Sequence, residues 1–261
     1  MSGGHYQVLQ NFSWMKVYIK ENPEVLGVSA GKKAAALIIE TIKEKGSANI
    51  ILATGTSQFE TLDYLVAKKE IDWNKVTLFH LDEYLHLPAE DPASFRKYIR
   101  ERFLEKVPAL KAAYLINGET DAEEECKRLG ELIKKNPIDV ALIGIGENGH
   151  LAFNDPPADF DTDEPFILVS LDEQSRRQQM NEGWFSSLSS VPEQAISMSV
   201  KQIMLSRHII CSVPGLRKAE AVRDSLTKEV SNLCPASLLR NHLSCFLFLD
   251  TAAASLISEL P

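Results

Sequence analysis

The chain has 261 residues, with 28 Lys and Arg against 36 Asp and Glu, for a formal net charge of −8. Hydrophobic residues at 44% and charged residues at 25% suit a globular protein that buries a core without disulfide or metal staples. The acidic balance argues against non-specific nucleic-acid or anionic-membrane binding, since both need basic patches.

No apolar run approaches the roughly 18 residues of a membrane span. Residues 1–10 have neither the charged nor the apolar region of a secretory leader. Cys126, Cys211, Cys234 and Cys245 are scattered, without C-x-x-C spacing or paired histidines. Free thiols in a reducing, cytoplasmic compartment are therefore expected, with no metal site.

In chain order, residues 1–28 read as an N-terminal extension and residues 29–261 as one domain. Residues 30–45 read as an amphipathic helix, with Ala34, Leu37, Ile38 and Ile42 on one stripe. A strand is predicted at 49–53, a helix at 57–68, a strand at 76–81 and helices at 94–104 and 122–135. Asp121 is the expected N-cap of the last of these. Further strands are predicted at 139–145, 166–171, 196–200, 208–213 and 245–249. Runs that are apolar throughout indicate a sheet covered on both faces. The expected fold is α/β: one domain with a central, mostly parallel sheet flanked by helices, Rossmann-like and doubly wound.

Ligands in such sheets sit at the carboxyl ends of the strands, and four strand exits carry suitable residues. The strand at 49–53 feeds Thr54, Gly55, Thr56 and Ser57 and then a helix start, an arrangement that offers backbone N–H groups to an anion. It has neither a P-loop nor a dinucleotide fingerprint. The alternative is a turn capped by Ser57. The strand at 76–81 runs into Asp82 and Glu83, where one acid facing a ligand could serve as a general base and the alternative is a surface turn. The strand at 139–145 leads through Gly144, Gly146 and Gly149 to His150, with Asn148 and Asp155 near enough to orient the imidazole. The alternative is a histidine that caps a helix. His5 reads as tail, His86, His208 and His242 as surface or edge, and His80 as core. The strand at 208–213 is followed by Gly215 and by Lys218 in a helix's first turn, where the macrodipole disfavours a lysine unless an anion is bound. The alternative is a solvated lysine.

The four segments LATGTSQFETLDYL (52–65), FHLDEYLHLP (79–88), GIGENGHLAFNDPP (144–157) and GLRKAEAV (215–222), with CPASLL (234–239), follow in this order. Together they resemble the glucosamine-6-phosphate deaminase/isomerase family over roughly residues 30–250. The G-x-G-x-x-G-H-x-A-F-N-[ED]-P string is the most specific. Phe153, Asn154, Asp155 and Pro156 favour the deaminase branch over the related 6-phosphogluconolactonases. The resemblance implies a cofactor-free enzyme acting on a small phosphosugar, with no nucleic-acid or membrane partner, and a homo-oligomer as a common state. It implies ring opening, isomerisation and release of ammonia, from glucosamine 6-phosphate to fructose 6-phosphate. Asp82 would be the base between C2 and C1. His150 would carry the ring-opening proton, supported by Asn148 and Asp155. Thr54 to Ser57 and Lys218 would hold the phosphate. The galactosamine epimer, lactone hydrolysis and a non-catalytic sugar-phosphate binder are the alternatives.

The sequence departs from the family at named positions. Asn148 stands where some members have Asp, and Asp155 where Glu is usual. T-G-T-S-Q replaces T-G-G-T-P, so either Thr56 takes a conformation that glycine usually serves or the loop shifts. Gly183 stands where N-x-R-F-F has its phosphate-binding arginine, so Arg176 and Arg177 are expected to substitute. The chain ends soon after its last strand, so the allosteric regulation of longer members is not expected.

Overall fold

The apolar runs become strands whose alternate residues enter two different cores, one on each face of a sheet. The computed structural model describes residues 8–12 and 15–257. In chain order its elements are β1 (Val8–Phe12), β2 (Met15–Lys20), α1 (Pro23–Lys45), β3 (Ala48–Leu52), α2 (Phe59–Val66), β4 (Val76–His80), β5 (Asp82–Tyr84) and α3 (Phe95–Ile99). There follow β6 (Ala112–Tyr114), α4 (Ala122–Lys135), β7 (Val140–Ile143), β8 (Phe166–Ser170), α5 (Glu173–Asn181), β9 (Gln194–Met198), α6 (Val200–Met204), β10 (His208–Val213), α7 (Ala219–Thr227) and β11 (Cys245–Asp250).

Eight strands form one sheet in the order β1-β2-β11-β10-β7-β3-β4-β6. All neighbours are parallel except the β1–β2 edge. Ile50, Leu52, Val140, Leu142 and Ile210 pack on one side against Leu26, Ala30 and Ala34 of α1 and Leu62 and Leu65 of α2. Ile51, Ala141, Ile143, Ile209 and Cys211 pack on the other against residues of α4, α6 and α7, among them Leu129, Ile203 and Val222. Helices on both faces make the sheet doubly wound, as the continuous apolar runs predicted.

Three expectations change. The helix predicted at 30–45 begins earlier: α1 starts at Pro23, capped by the Asn22 side chain, and β2 before it pairs in parallel with β11. The Asn-Pro pair carried that start signal, an N-cap followed by proline in the first turn. The strands predicted at 166–171 and 196–200 leave the central sheet. As β8 and β9 they join β5 in a three-stranded antiparallel sheet of order β5-β9-β8. His242 is buried, donating from Nε2 to the Ser206 carbonyl at 2.7 Å, and not at the surface. His80 is core as expected, while His5 lies outside the described residues. Asp121 caps α4 through the N–H groups of Glu123 and Glu124. All four cysteines are free.

Helix α2 follows the first candidate loop, and its position is set by close approach to α1. A Cβ at Gly27 would lie 2.2 Å from Glu60 Cβ and 2.8 Å from the Glu60 carbonyl carbon. Gly27→Ala must push the helices apart. The expected loss is about 1–3 kcal/mol of unfolding free energy, read from urea denaturation. No loss would mean that α2 is free to shift.

Candidate active site

The chain winds from β3 outward through β4 to β6, returns at β7 beside β3, then continues to β10 and β11 in the other direction. The carboxyl ends of β3 and β7 therefore mark a topological switch point, where an open α/β sheet forms its crevice. A cavity of about 370 Å³ lies there. The loops after β3, β4, β7 and β10 all reach it, and Thr54, Gly55, Thr56, Ser57, Asp82, His150 and Lys218 line it. Seven of the residues singled out in the sequence thus meet in one place.

Two of these loops have one design. Gly55 and Gly215 both have φ of 95°, and each opens a single 3-10 turn, Thr56–Gln58 or Leu216–Lys218, that runs into α2 or α7. Nothing stands within 4 Å of a Cβ at either glycine, so the backbone angle and not crowding demands glycine. Thr56 has no left-handed φ, because Gly55 carries that conformation. The Tyr98 hydroxyl donates to the Gly55 carbonyl at 3.0 Å and pins the first loop. Two helix starts thus face one cavity with backbone donors. Lys218, a residue only 9% exposed, adds an ammonium that makes no ion pair among the described residues. Burial pulls its pKa below the usual lysine value, opposed by Glu182 and Glu147.

Asp82 and Glu83 are successive residues of β5, so their side chains point to opposite faces. Glu83 turns away from the cavity and is fully buried. It accepts from the Arg96 guanidinium, the Ser94 hydroxyl and the N–H groups of Phe95 and Arg96 at the start of α3. Asp82 faces the cavity and accepts no hydrogen bond among the described residues. Burial, and then the charge of Glu83, push its carboxyl up to about 8. A carboxyl with that pKa, open on one side to a ligand cavity, is placed to exchange a proton near neutral pH.

His150 is held from behind. Its Nδ1 lies 3.1 Å from Asp155 Oδ1 and 3.1 Å from Ser175 Oγ, which leaves Nε2 as the nitrogen available to a ligand. The shorter arm of Asp155 therefore does reach. Asn148 accepts from the His150 N–H at 3.1 Å and donates to Asp155 at 3.2 Å. Neither Asn148 nor Asp155 lines the cavity, so both stand behind the histidine. Burial raises the Asp155 carboxyl, but hydrogen bonds from His150 and Ser175, the His150 charge and the Asp172 N–H together hold it below the usual value. A Cβ at Gly146 would meet the imidazole ring at 2.2–2.4 Å, so this glycine makes room for it.

The family described as glucosamine-6-phosphate isomerases and 6-phosphogluconolactonase matches residues 21–247. The chain belongs to this family. A glucosamine-6-phosphate deaminase of Bacillus cereus (strain B4264) is 37% identical over 246 residues, 94% of this chain and 90% of its own length. One from Listeria monocytogenes serotype 4a is 39% identical over 230 residues, 87% of this chain and 96% of its own. Among solved structures, a monomeric glucosamine-6-phosphate deaminase superposes with a TM-score of 0.83 at 34% identity, covering 92% of this chain and 99% of that one. The 6-phosphogluconolactonase of Trypanosoma brucei gives 0.75 at 17% identity, covering 96% and 99%, a likeness of fold.

Arg176 and Arg177, the arginines expected to stand in at Gly183, do not reach the cavity. Arg176 donates to the carbonyls of Leu188 and Val191, and Arg177 pairs with Glu173 at the surface. Neither lines the cavity. Helical phase is the reason: Ser175, Gln178, Gln179 and Glu182 share the inner face of α5 and its end, and residues 176 and 177 turn away from it. The guanidinium at the cavity is that of Arg217, 3.5 Å from Glu147. It adjoins Lys218 in the segment already singled out, and the sequence reading passed over it.

The raised Asp82 pKa has a thermodynamic consequence. Between its ordinary value of 3.8 and about 8, the folded chain keeps a proton that the unfolded chain gives up. Stability from this group is therefore lost as pH rises through that window. Asp82→Asn removes the dependence. Its Tm is expected to exceed the parent's by a margin that widens from about pH 5 to about pH 8, measured by circular dichroism. A margin that stays constant would contradict the burial of an unpaired carboxyl.

Proposed function

We propose that this chain is a deaminating aldose–ketose isomerase that converts glucosamine 6-phosphate and water into fructose 6-phosphate and ammonium. The observation that carries the reading is the pair of proton-handling groups on one cavity wall. Asp82 has no hydrogen-bond partner among the described residues and is pushed up to about 8 by burial, and His150 is oriented by a carboxylate behind it. Ring opening needs a proton carried between the anomeric hydroxyl and the ring oxygen, the work of an imidazole with a free Nε2. Isomerisation needs one base to take the C2 proton and return it to C1 through an enol-type intermediate, the work of Asp82. The C2 imine that results takes up water and releases ammonia. The 37–39% identity to relatives named glucosamine-6-phosphate deaminase supports the same reading.

The phosphate binds between the loops of Gly55 and Gly215, on backbone N–H groups, the hydroxyls of Thr54, Thr56 and Ser57, and Lys218, with Arg217 at the rim. Holding the phosphate away from the reacting carbons fixes their orientation toward Asp82 and His150. A cavity of about 370 Å³ fits the range of about 300–1,000 Å³ for small-molecule sites.

Incubation with glucosamine 6-phosphate is expected to release ammonium and fructose 6-phosphate in equal amounts. Asp82→Asn should abolish exchange of the C2 proton with deuterated solvent and leave binding of a sugar phosphate largely intact. Turnover of 6-phosphogluconolactone without ammonium release would sink the reading. Lys218→Met removes one charge-assisted hydrogen bond to the phosphate. The expected rise in KM is roughly ten- to hundredfold, with a smaller change in kcat, and an unchanged KM would take Lys218 out of the phosphate site.

A further inference from the structure

Ser175 sits in the first turn of α5, is 2% exposed and does not line the cavity, yet it touches both His150 and Asp155. Its backbone is clipped in place. The Ser175 N–H donates to the N-cap carboxylate of Asp172 at 2.6 Å, and the Asp172 N–H donates to Asp155 Oδ2 at 3.1 Å. The hydroxyl has one proton and two lone pairs. The proton goes to Asp155 Oδ1 in a short hydrogen bond. The lone pairs face His150 Nδ1 at 3.1 Å and Asn148 Nδ2 at 3.4 Å. The reverse arrangement, with the hydroxyl donating to a bare Nδ1, would leave that nitrogen's lone pair against the Asp155 carboxylate 3.1 Å away. Only one proton pattern therefore satisfies all four groups: Nδ1 carries the hydrogen, shared between Ser175 Oγ and Asp155 Oδ1.

We propose that Ser175 is a positioning residue that, together with Asp155, locks His150 in the Nδ1–H tautomer and so keeps Nε2 bare toward the cavity. The inference rests on the reading of His150 as the proton carrier for ring opening. Ser175 belongs to α5, and Gln178, Gln179 and Glu182 of that helix and its end line the same cavity. The hydroxyl therefore ties the histidine loop to this wall. Asp155 alone leaves the imidazole a single acceptor at 3.1 Å. The added hydroxyl fixes the ring from a second direction.

The test compares Ser175→Ala and Ser175→Thr with the parent in the full chain. For Ser175→Ala, kcat with glucosamine 6-phosphate should fall about tenfold or more, in line with the loss of one oriented hydrogen bond to the proton carrier. KM should stay within about twofold, because the phosphate contacts are untouched. The threonine variant keeps the hydroxyl and should recover most of the rate. Nitrogen-15 NMR of the His150 ring reads the tautomer directly. The parent should show the Nδ1–H form, and the alanine variant a mixture of both forms at neutral pH. An unchanged tautomer in Ser175→Ala overturns the proposal, even where kcat falls, because a lower rate with the same tautomer marks a purely structural role. If the parent itself releases no ammonium, the functional reading fails, and the NMR comparison still decides the role of Ser175.

Discussion

The pairing of β3 with β7 is the constraint on which the site depends. Ile50, Ile51 and Leu52 stand opposite Val140, Ala141 and Leu142, and the Ala53 N–H extends the ladder to the Leu142 carbonyl at 2.9 Å. These strands are distant in sequence, since the chain first builds β4 and β6 on the outer side of β3. From β3 the chain departs toward one face and from β7 toward the other, so a crevice opens between their carboxyl ends. One loop brings the hydroxyls and the α2 start, and the other brings His150. A slip of one residue would exchange the inner and outer faces of either strand. Ile51 and Ala141 would leave one core for the other, and both loops would depart in the wrong direction.

Around that crevice, depth of burial and hydrogen-bond partners together decide what each carboxyl does. Asp155 collects His150, Ser175, Asn148 and the Asp172 N–H, and these hold its carboxyl down despite burial. Asp82, more deeply buried, collects none among the described residues and is pushed up to about 8. Two groups of the same chemistry are thereby separated into a fixed anion and a proton exchanger, a separation of environments that marks acid–base sites. Glu83 shows how local this control is. One residue along the same strand, the opposite face meets Arg96 and the start of α3, and the carboxylate becomes an anchor for that helix.

The strands of the central sheet and the loops after them were legible because a buried parallel strand is a short, wholly apolar run, and its end is where polar residues first appear. That logic found Thr54 to Ser57, Asp82, His150 and Lys218 without knowledge of which strands pair. It did not reveal that the runs at 166–171 and 196–200 belong to a second sheet. An apolar run reports burial and not its partner. Strands as short as β5 and β6, three residues each, have no readable period. The arginine assignment failed through phase. Residues 176 and 177 were placed near the site by sequence distance, whereas the Asp172 cap sets the rotation of α5 and turns Ser175 and Gln178 inward instead. Ser175 itself gave no signal, because its role comes from a contact with His150, 25 residues away in sequence.

The net charge of −8 and the proposed anion site are compatible because the acids are elsewhere or are not charged. Asp121, Glu123, Glu124, Asp161, Asp163 and Glu164 are exposed, and Glu125 is paired with Arg128. At the cavity stand Glu60, Asp82 and Glu182 against Arg217 and Lys218. With Asp82 holding its proton below about pH 8, two acids face two bases, and the two helix starts tip the balance positive. On the proposed reading, an anion is therefore admitted to a wall that carries the base in neutral form. An amino sugar also brings an ammonium group toward that wall. A cation beside Asp82 favours its carboxylate and draws the pKa back down. On the proposed reading, the substrate itself then readies the base: the group that stays neutral while the phosphate enters becomes the proton acceptor once the amine is in place.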